Sequence, residues 1–167
     1  MNEAELVLTR VLNCNRLFLY LNKDLRLTKH KSAQISKILK RRINGEPLHY
    51  ILKTMEFMGL KFKVDQRVLI PRPETEILVE SAIKELKSIV KPSPEILDLG
   101  TGSGCIAISL AKLLPKAQVW ASDSSKAAIQ LAKDNAQLNK VEIKFFCSNL
   151  FAGIKNKKFD LDRRAHV

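Results

Sequence analysis

The chain has 167 residues, of which 46% are hydrophobic and 28% are charged, and this composition excludes an intrinsically disordered protein. The length accommodates one domain, or one small domain and part of another. Lys and Arg outnumber Asp and Glu by 29 to 17, and the formal net charge of +12 favours a polyanionic partner. Cys14, Cys105 and Cys147 are far apart, which excludes a disulfide framework or a cysteine-based zinc site and favours the cytoplasm.

Residues 1–46 are predicted to form a small helical domain, because apolar side chains recur at helical spacing. One helix is expected to begin after Thr28 and to run to about Ile43, where Asn44 and Gly45 end it. Three of its apolar residues are expected to face inward: Ile35, Ile38 and Leu39. This segment carries ten Lys and Arg against four Asp and Glu, so it holds half of the net positive charge.

Residues 47–70 are predicted to form a linker with a β-hairpin, since apolar and polar residues alternate around Gly59 from Glu56 to Val64. Two prolines then stiffen the chain before a helix. The apolar positions of that helix are Ile77, Leu78, Ala82, Ile83, Leu86 and Ile89.

Residues 71–167 are predicted to form an α/β domain in which strands and helices alternate. The predicted strands cover residues 96–99, 119–123 and 143–147, with a fourth strand beginning at 159–161. The predicted helices between them cover residues 103–114 and 125–139. This alternation is typical of a doubly wound parallel sheet of the Rossmann-like kind, with right-handed crossovers.

A glycine-rich turn follows the first strand of this domain and opens the next helix. Its sequence is Asp98-Leu99-Gly100-Thr101-Gly102-Ser103-Gly104, with a glycine at every second position, where a backbone can approach a ligand. The helix N-terminus behind it offers free N–H groups. About 20 residues further on, Asp123 stands where a carboxylate accepts the ribose hydroxyls of an adenosine-containing cofactor. The alternative interpretation is a tight turn and a surface aspartate without a ligand.

The spacing of the glycines bears on the choice of cofactor. A dinucleotide fingerprint is G-x-G-x-x-G, whereas these glycines are spaced G-x-G-x-G and Cys105 takes the place of the third fingerprint glycine. Asp98 suits a positively charged amino or sulfonium group better than a pyrophosphate. Both features favour S-adenosylmethionine, with a nicotinamide dinucleotide as the alternative.

Four stretches of the sequence carry a family resemblance. They are Gly45-Glu46-Pro47-Leu48-His49-Tyr50-Ile51, Val68-Leu69-Ile70-Pro71-Arg72-Pro73-Glu74-Thr75-Glu76, residues 96–107, and Ala121-Ser122-Asp123-Ser124. In these stretches the chain resembles the release-factor glutamine methyltransferases, which modify the side-chain amide of the Gly-Gly-Gln loop in peptide chain release factors. The second stretch is far more specific than the glycine turn, which many methyltransferases share.

The resemblance implies that eight residues bind the cofactor. The turn would hold the methionine end of S-adenosylmethionine, Asp123 its ribose, and the segment after the third strand its adenine. The eight residues are Gly100, Thr101, Gly102, Ser103, Gly104, Asp123, Asn149 and Leu150. Many relatives carry an aspartate where this chain has Asn149, whose amide oxygen can still accept a hydrogen bond from adenine. Arg72, Thr75 and Glu76 would lie at the rim of the site, although capping and ion pairing at the next helix explain them equally well.

The family's catalytic tetrapeptide, Asn-Pro-Pro-Tyr, does not occur in this sequence. In the family it follows the fourth strand, where the Asn side chain and a proline carbonyl accept the N–H bonds of the substrate amide. Here Leu161 is followed by Asp162-Arg163-Arg164-Ala165-His166-Val167, which is charged where a buried parallel strand should be apolar. We therefore assign no catalytic residue and no metal ligand, and we expect an incomplete methyltransferase domain from a truncated or frame-disrupted gene product.

The function that the resemblance implies is S-adenosylmethionine-dependent N-methylation of a glutamine in a peptide chain release factor. We expect a cytoplasmic monomer that contacts neither a membrane nor nucleic acid directly, with the basic N-terminal helices docking on an acidic release-factor surface. The alternatives are a basic module that binds RNA or the ribosome, and a fragment without catalysis. The chain as written is expected to show no methyl transfer, because the tetrapeptide is missing.

Overall fold

The computed structural model describes residues 2–22, 24–88, 91–153 and 158–164. The chain divides into two compact units, Met1–Lys53 and Thr54–Val167, each with its own buried apolar residues. Within the described ranges, no helix combines the length and the apolar character that spanning a bilayer requires.

The first unit consists of four helices. They are α1 (Glu3–Leu12), α2 (Arg16–Leu21), α3 (Lys29–Ile43) and α4 (Leu48–Leu52). The side chains of Asn2, Asn15 and Thr28 each accept a backbone N–H group from the first turn of the helix that follows, and so cap α1, α2 and α3. The helix predicted from Thr28 to Ile43 is confirmed, whereas α4 lies in the segment for which the sequence predicts a hairpin linker.

The apolar core of the first unit lies between α1, α3 and α4. Its buried residues are Val7, Leu48 and Leu52. Ile35 and Ile38 of α3 pack against them, as predicted. The prediction that Leu39 faces inward is wrong, since its side chain is 49% exposed. Leu39 lies about 100° round the helix from Ile38 and is therefore turned toward solvent.

The second unit begins with the predicted β-hairpin, formed by β1 (Thr54–Phe57) and β2 (Leu60–Lys63). Met58 and Gly59 form its two-residue turn with φ values of +50° and +71°. Two left-handed residues match the twist of the strands in such a turn. The rings of Phe57 and Phe62 meet edge to face at 6.1 Å between centroids, and both side chains are buried, so the hairpin contributes to the core.

The rest of the second unit alternates helices and strands, as predicted. In chain order the elements are α5 (Glu74–Ser88), β3 (Glu95–Leu99), α6 (Cys105–Leu113), β4 (Gln118–Asp123), α7 (Lys126–Asn139), β5 (Lys144–Cys147), a 3-10 helix (Leu150–Gly153) and β6 (Leu161–Arg164). The four strands β3 to β6 form a parallel sheet in the order β5-β4-β3-β6. The strand order therefore reverses between β3 and β6, and ligands bind outside the carboxyl ends of strands at such a switch point.

The fourth strand of the sheet is confirmed, and it extends further than the sequence predicts. Leu161 is 5% exposed and pairs with Ile96, and the pairing continues to Arg164 opposite Leu99. The charged residues that follow Leu161 continue the strand, although their sequence is not that of a buried parallel strand. Among the described strands β6 pairs only with β3, and a strand at a sheet edge tolerates charged residues.

The helix before the sheet, α5, buries Val79, Ala82 and Leu86 in the core. Ile77, one of the apolar positions by which the sequence predicts this helix, is 64% exposed. Ile77 lies two residues before Val79, about 200° round the helix, and therefore points to the opposite side. Ile89, which the sequence assigns to the same helix, is outside the described residues.

Candidate functional site

The glycine turn lies at the carboxyl end of β3, beside the switch point of the sheet. Two backbone hydrogen bonds close it. The Gly104 N–H group donates to the Thr101 carbonyl at 2.8 Å, and the Thr101 N–H group donates to the Ser122 carbonyl of β4 at 2.9 Å. Thr101 and Ser103 are 5% and 2% exposed, so the turn is packed into the unit.

The three glycines of the turn share a positive φ but differ in the space around the position of a Cβ atom. Gly100, Gly102 and Gly104 all have a positive φ, of +71°, +54° and +81°. A Cβ atom at Gly104 would also lie 2.9 Å from Cδ1 of Ile108 and 3.1 Å from Cβ of Ala132, so this glycine permits close packing on α7. At Gly100 no atom lies within 4 Å of the corresponding position. Gly100 therefore leaves open space beside the backbone, as a ligand needs.

Asp98, near the end of β3, is fully buried beside the turn. Its Oδ2 atom accepts hydrogen bonds from the Thr101 hydroxyl at 2.7 Å and from the Ala107 N–H group at 3.3 Å. Its Oδ1 atom has no hydrogen-bond partner in the described part of the chain. Burial raises the pKa of the Asp98 carboxyl to about 6, against the opposing effect of the Thr101 hydrogen bond. A cationic group next to Asp98 would stabilise its ionised form.

Asp123 ends β4 and holds the turn through its carboxylate. The Oδ2 atom accepts the Gly102 N–H group at 2.9 Å, and the Oδ1 atom accepts the Ser125 N–H group at 2.9 Å. Each oxygen of an ionised carboxylate can accept a second hydrogen bond. Asp123 therefore joins the turn to the start of α7 and keeps capacity for two hydroxyl groups.

The residues predicted beside the adenine follow β5 at the same edge of the sheet. The Ser148 N–H group donates to the Asp123 carbonyl at 3.0 Å, which brings this segment next to the end of β4. Asn149 is exposed, and Leu150 is 53% exposed with a φ of +49° at the start of the 3-10 helix. Both side chains are accessible to a ligand, and their adenine contacts stay predictions.

The three residues predicted at the rim of the site lie just before α5 or in its first turn. The Thr75 N–H group donates to the Arg72 carbonyl at 3.0 Å, within the turn that leads into the helix. Glu76 Oε1 accepts the Met58 N–H group of the hairpin turn at 2.6 Å. Glu76 therefore holds the hairpin against α5, which neither interpretation of the sequence anticipated.

One buried polar residue near the turn, Asn135 of α7, was missed by the sequence interpretation. It is 0% exposed, and its side chain forms hydrogen bonds with Lys63 of β2 and Ser103 of the turn. The available signal was its position three and four residues after Ala132 and Leu131, on the apolar face of α7. Because an unpaired amide is costly in an apolar core, such a position indicates a hydrogen-bonded role.

The cysteines and histidines of the described chain offer no comparable site. Burial raises the pKa of the Cys105 thiol to about 12, so this cysteine packs at the start of α6 rather than acting as a thiolate. His30 is exposed and lies 2.9 Å from the side chain of Gln34, and His166 is outside the described residues. In the described ranges, no three His, Cys, Asp or Glu side chains come together to hold a metal ion.

A groove of about 820 Å³ lies at the opposite end of the sheet, along the first residues of β4 and β5. Two of its lysines already have partners. Lys144 Nζ donates to Gln118 Oε1 at 3.3 Å, and Lys112 Nζ donates to the Asn139 carbonyl at 3.1 Å. The switch-point rule places a ligand at the carboxyl ends of the strands instead, where the glycine turn lies.

The residues at the switch point fit S-adenosylmethionine. Asp98 offers a buried carboxylate oxygen without a partner in the described chain, which suits a cationic ligand. Asp123 has acceptor capacity for ribose hydroxyls, and Gly100 leaves open space. A parallel sheet with this turn and this acidic residue is typical of the Rossmann-like class, to which S-adenosylmethionine-dependent methyltransferases belong.

Comparison with known proteins agrees with this class. The S-adenosylmethionine-dependent methyltransferase of Agrobacterium tumefaciens has the same fold, with a TM-score of 0.54 and 22% identity over 66% of this chain and 38% of that chain. Residues 74–161 match the methyltransferase small domain, and residues 1–52 match the PrmC N-terminal domain. The chain belongs to the methyltransferase small domain family. The predicted fold class is thereby confirmed, and the methyltransferase family agrees with the predicted cofactor, S-adenosylmethionine.

Two curated relatives show where the resemblance extends. The release factor glutamine methyltransferase of Geobacter sulfurreducens is 42% identical over 159 residues, which cover 95% of this chain and 55% of that protein. The protein of the same name from Flavobacterium psychrophilum is 47% identical over 148 residues, covering 87% of this chain and 52% of its own length. The resemblance predicted from the sequence is confirmed. The chain spans about half the length of these relatives.

Proposed function

We propose that the chain carries the recognition domain and the cofactor-binding part of a release-factor glutamine methyltransferase. Such an enzyme transfers a methyl group from S-adenosylmethionine to the side-chain amide of the glutamine in a Gly-Gly-Gln loop. The observation that carries the proposal is the glycine turn at the switch point, closed onto Asp123 and flanked by the buried Asp98. The names of the relatives, together with the two domain matches, support the substrate.

The proposed site assigns a separate task to each polar group. S-adenosylmethionine, when bound, supplies a methyl group on a positively charged sulfonium. The open backbone at Gly100 would hold the methionine end, and the carboxylate of Asp123 would accept the ribose hydroxyls. Asn149 would accept a hydrogen bond from the adenine amino group through its amide oxygen. The ionised carboxylate of Asp98 would stabilise the cationic ligand from the buried side of the turn.

The first unit supports docking to an acidic protein surface. Helix α3 carries six Lys and Arg residues and no Asp or Glu. Leu39 and Ile43 of the same helix are 49% and 82% exposed, so apolar and cationic side chains share an open surface. A partner surface with carboxylates around apolar residues is complementary to this helix. We infer that the surface belongs to the release factor, in the cytoplasm.

A methyl-transfer assay with a fusion protein tests the proposed activity. Residues 1–161 of this chain are joined to the segment that follows the aligned position in the Geobacter sulfurreducens relative, which provides the family's Asn-Pro-Pro-Tyr. The fusion protein is expected to transfer labelled methyl groups from S-adenosylmethionine to a release factor, and not to one whose Gly-Gly-Gln glutamine is replaced by alanine. The 167-residue chain alone is expected to transfer none, because the tetrapeptide is absent from its sequence.

Two results contradict the proposal. A folded fusion protein that binds S-adenosylmethionine but leaves the glutamine unmodified would show that the release factor is not the substrate. Methyl transfer by the 167-residue chain alone would show that the tetrapeptide is not needed for catalysis. An Asp123→Asn fusion protein serves as the cofactor-site control and should lose most of the activity.

A further inference from the structure

The side chain of Asn135 connects two parts of the second unit that are far apart in sequence. Its Oδ1 atom accepts the Lys63 N–H group at 2.7 Å, and its Nδ2 group donates to the Lys63 carbonyl at 3.0 Å. The same Nδ2 group donates to the Ser103 carbonyl at 2.9 Å. Both donor hydrogens of the amide are therefore used, and the side chain is completely buried.

The bond to Ser103 acts on the peptide group that joins the last two residues of the glycine turn. That peptide has the Ser103 carbonyl on one side and the Gly104 N–H group on the other. The Gly104 N–H group donates to the Thr101 carbonyl at 2.8 Å. Since a peptide group is planar, fixing both its carbonyl and its N–H group fixes the orientation of the plane. Asn135 and Thr101 together therefore determine how the turn enters α6.

The bonds to Lys63 tie the same side chain to the end of the hairpin. Asn135 engages both backbone polar groups of Lys63, much as a neighbouring strand would. Asn139, one helical turn later, also reaches the hairpin, because its Nδ2 group donates to the Lys61 carbonyl at 2.8 Å. Asn139 bonds to the hairpin and to the Asn135 carbonyl. Asn135 bonds in addition to the turn, through the Ser103 carbonyl, so Asn139 provides a matched comparison.

We propose that Asn135 is a positioning residue that sets the Ser103–Gly104 peptide of the cofactor turn and couples the turn to the hairpin. The consequence for cofactor affinity rests on the proposed function, whereas the effect on the turn does not. Without the Asn135 amide, the Ser103 carbonyl is buried without a partner, and the peptide rotates toward another donor or water. The turn then spends less time in the conformation that receives the cofactor.

Two variants of the full chain test the proposal, Asn135→Ala and, as the matched control, Asn139→Ala. The first readout is the amide spectrum of 15N-labelled protein without cofactor, in which six glycines are resolved from most other residues. The resonances of Gly102 and Gly104 should shift in Asn135→Ala and stay in place in Asn139→Ala. The second readout is the affinity for S-adenosylmethionine by calorimetry, which should fall at least tenfold in Asn135→Ala and less than twofold in Asn139→Ala.

The outcomes separate this proposal from the proposed function. Unchanged Gly102 and Gly104 resonances in Asn135→Ala, or equal changes in both variants, would overturn the positioning role. If the wild-type chain binds no S-adenosylmethionine, the proposed cofactor function fails, and the glycine resonances still decide the role of Asn135. If Asn135→Ala does not fold, the hydrogen bonds of Asn135 are tested instead by the rate at which side-chain amide protons of the wild-type chain exchange with solvent. Those of Asn135 should exchange at least tenfold more slowly than those of the exposed Asn149, and equal rates would refute the bonds.

Discussion

Asp98 and Asp123 lie at or near the carboxyl ends of neighbouring strands, and their surroundings give them different properties. Asp98 is fully buried, and burial raises the pKa of its carboxyl to about 6. Asp123 is half-buried, and its carboxylate accepts two backbone N–H groups. One residue is thus suited to respond to a charged ligand, while the other holds the turn and offers its remaining acceptor sites.

The raised pKa of Asp98 predicts how stability depends on pH. In the folded chain the Asp98 carboxyl stays protonated up to about pH 6, whereas in the unfolded chain it loses its proton near pH 3.8. The contribution of Asp98 to stability is therefore fully present below pH 3.8 and is lost as the pH rises through 6. In Asp98→Asn this loss is absent. From pH 4 to pH 7.5, the free energy of unfolding of the variant relative to that of wild type should therefore rise by about 2–3 kcal/mol. Urea unfolding of both proteins at both pH values measures this change. The exposed Asp24→Asn is the control, and an Asp98→Asn difference that does not change with pH contradicts the assignment.

Gly104 predicts a second effect at a single residue. Its φ is +81°, and a Cβ atom would lie 2.9 Å from Ile108 Cδ1, so Gly104→Ala should lower the free energy of unfolding by about 2–4 kcal/mol. Gly59→Ala is the matched control, because Gly59 has a φ of +71° but no atom within 4 Å of the added Cβ. The control should lose only about 1–2 kcal/mol in guanidinium unfolding. Equal losses would show that close packing against Ile108 and Ala132 is not the reason for a glycine at position 104.

At the scale of elements, the hairpin and α5 are joined by one side chain. Glu76 of α5 accepts the Met58 N–H group in the hairpin turn at 2.6 Å. Glu76→Ala removes the acceptor, and we expect a loss of about 1–2 kcal/mol in the free energy of unfolding, measured with urea. The exposed Glu80→Ala on the same helix should change it by less than about 0.5 kcal/mol. A Glu76→Ala variant as stable as Glu80→Ala would show that the bond contributes nothing.

Elements with a long repeating pattern could be predicted from the sequence, whereas the short helix α4 could not. Helices α3 and α7 carry apolar residues over several turns and have capping residues, Thr28 and Ser125, at their starts. Helix α4 has only five residues, too few to show a helical period, and tertiary burial of its leucines stabilises it. The sequence does not predict strand β6 beyond Leu161, because its charged residues are not typical of a strand. The pairing with β3 nevertheless continues to Arg164.

The candidate site could be predicted where it is local in sequence. The spacing of the glycines and of Asp123 in the sequence predicts both parts of the site. In the structure the Gly102 N–H group donates a hydrogen bond to Asp123 and so joins them. Asn135 acts on Lys63 and Ser103, which lie 72 and 32 residues away along the chain. Such partners emerge only when the hairpin, the turn and α7 come together in the folded unit. The sequence indicates the role of Asn135 only by placing a polar residue on the apolar face of a helix.

At the scale of the whole molecule, the strongly basic helix α3 and the α/β sheet belong to different units. The first unit contains the acid-free helix α3, and the second contains the sheet and the glycine turn. The net charge of +12 favours a polyanionic partner, and the family match assigns the second unit to methyltransferases. Under the proposed function, the charge suits docking on an acidic protein surface.

The central claim is that the second unit binds S-adenosylmethionine through the turn and Asp123, and calorimetry with the 167-residue chain tests it most directly. S-adenosylmethionine should bind saturably at one site, and a nicotinamide dinucleotide should give no binding heat. Asp123→Asn should weaken the affinity at least tenfold, while Glu142→Gln, exposed at the opposite end of the sheet, should leave it unchanged. Binding of the dinucleotide instead, or an Asp123→Asn chain that binds S-adenosylmethionine as tightly as wild type, would contradict the account.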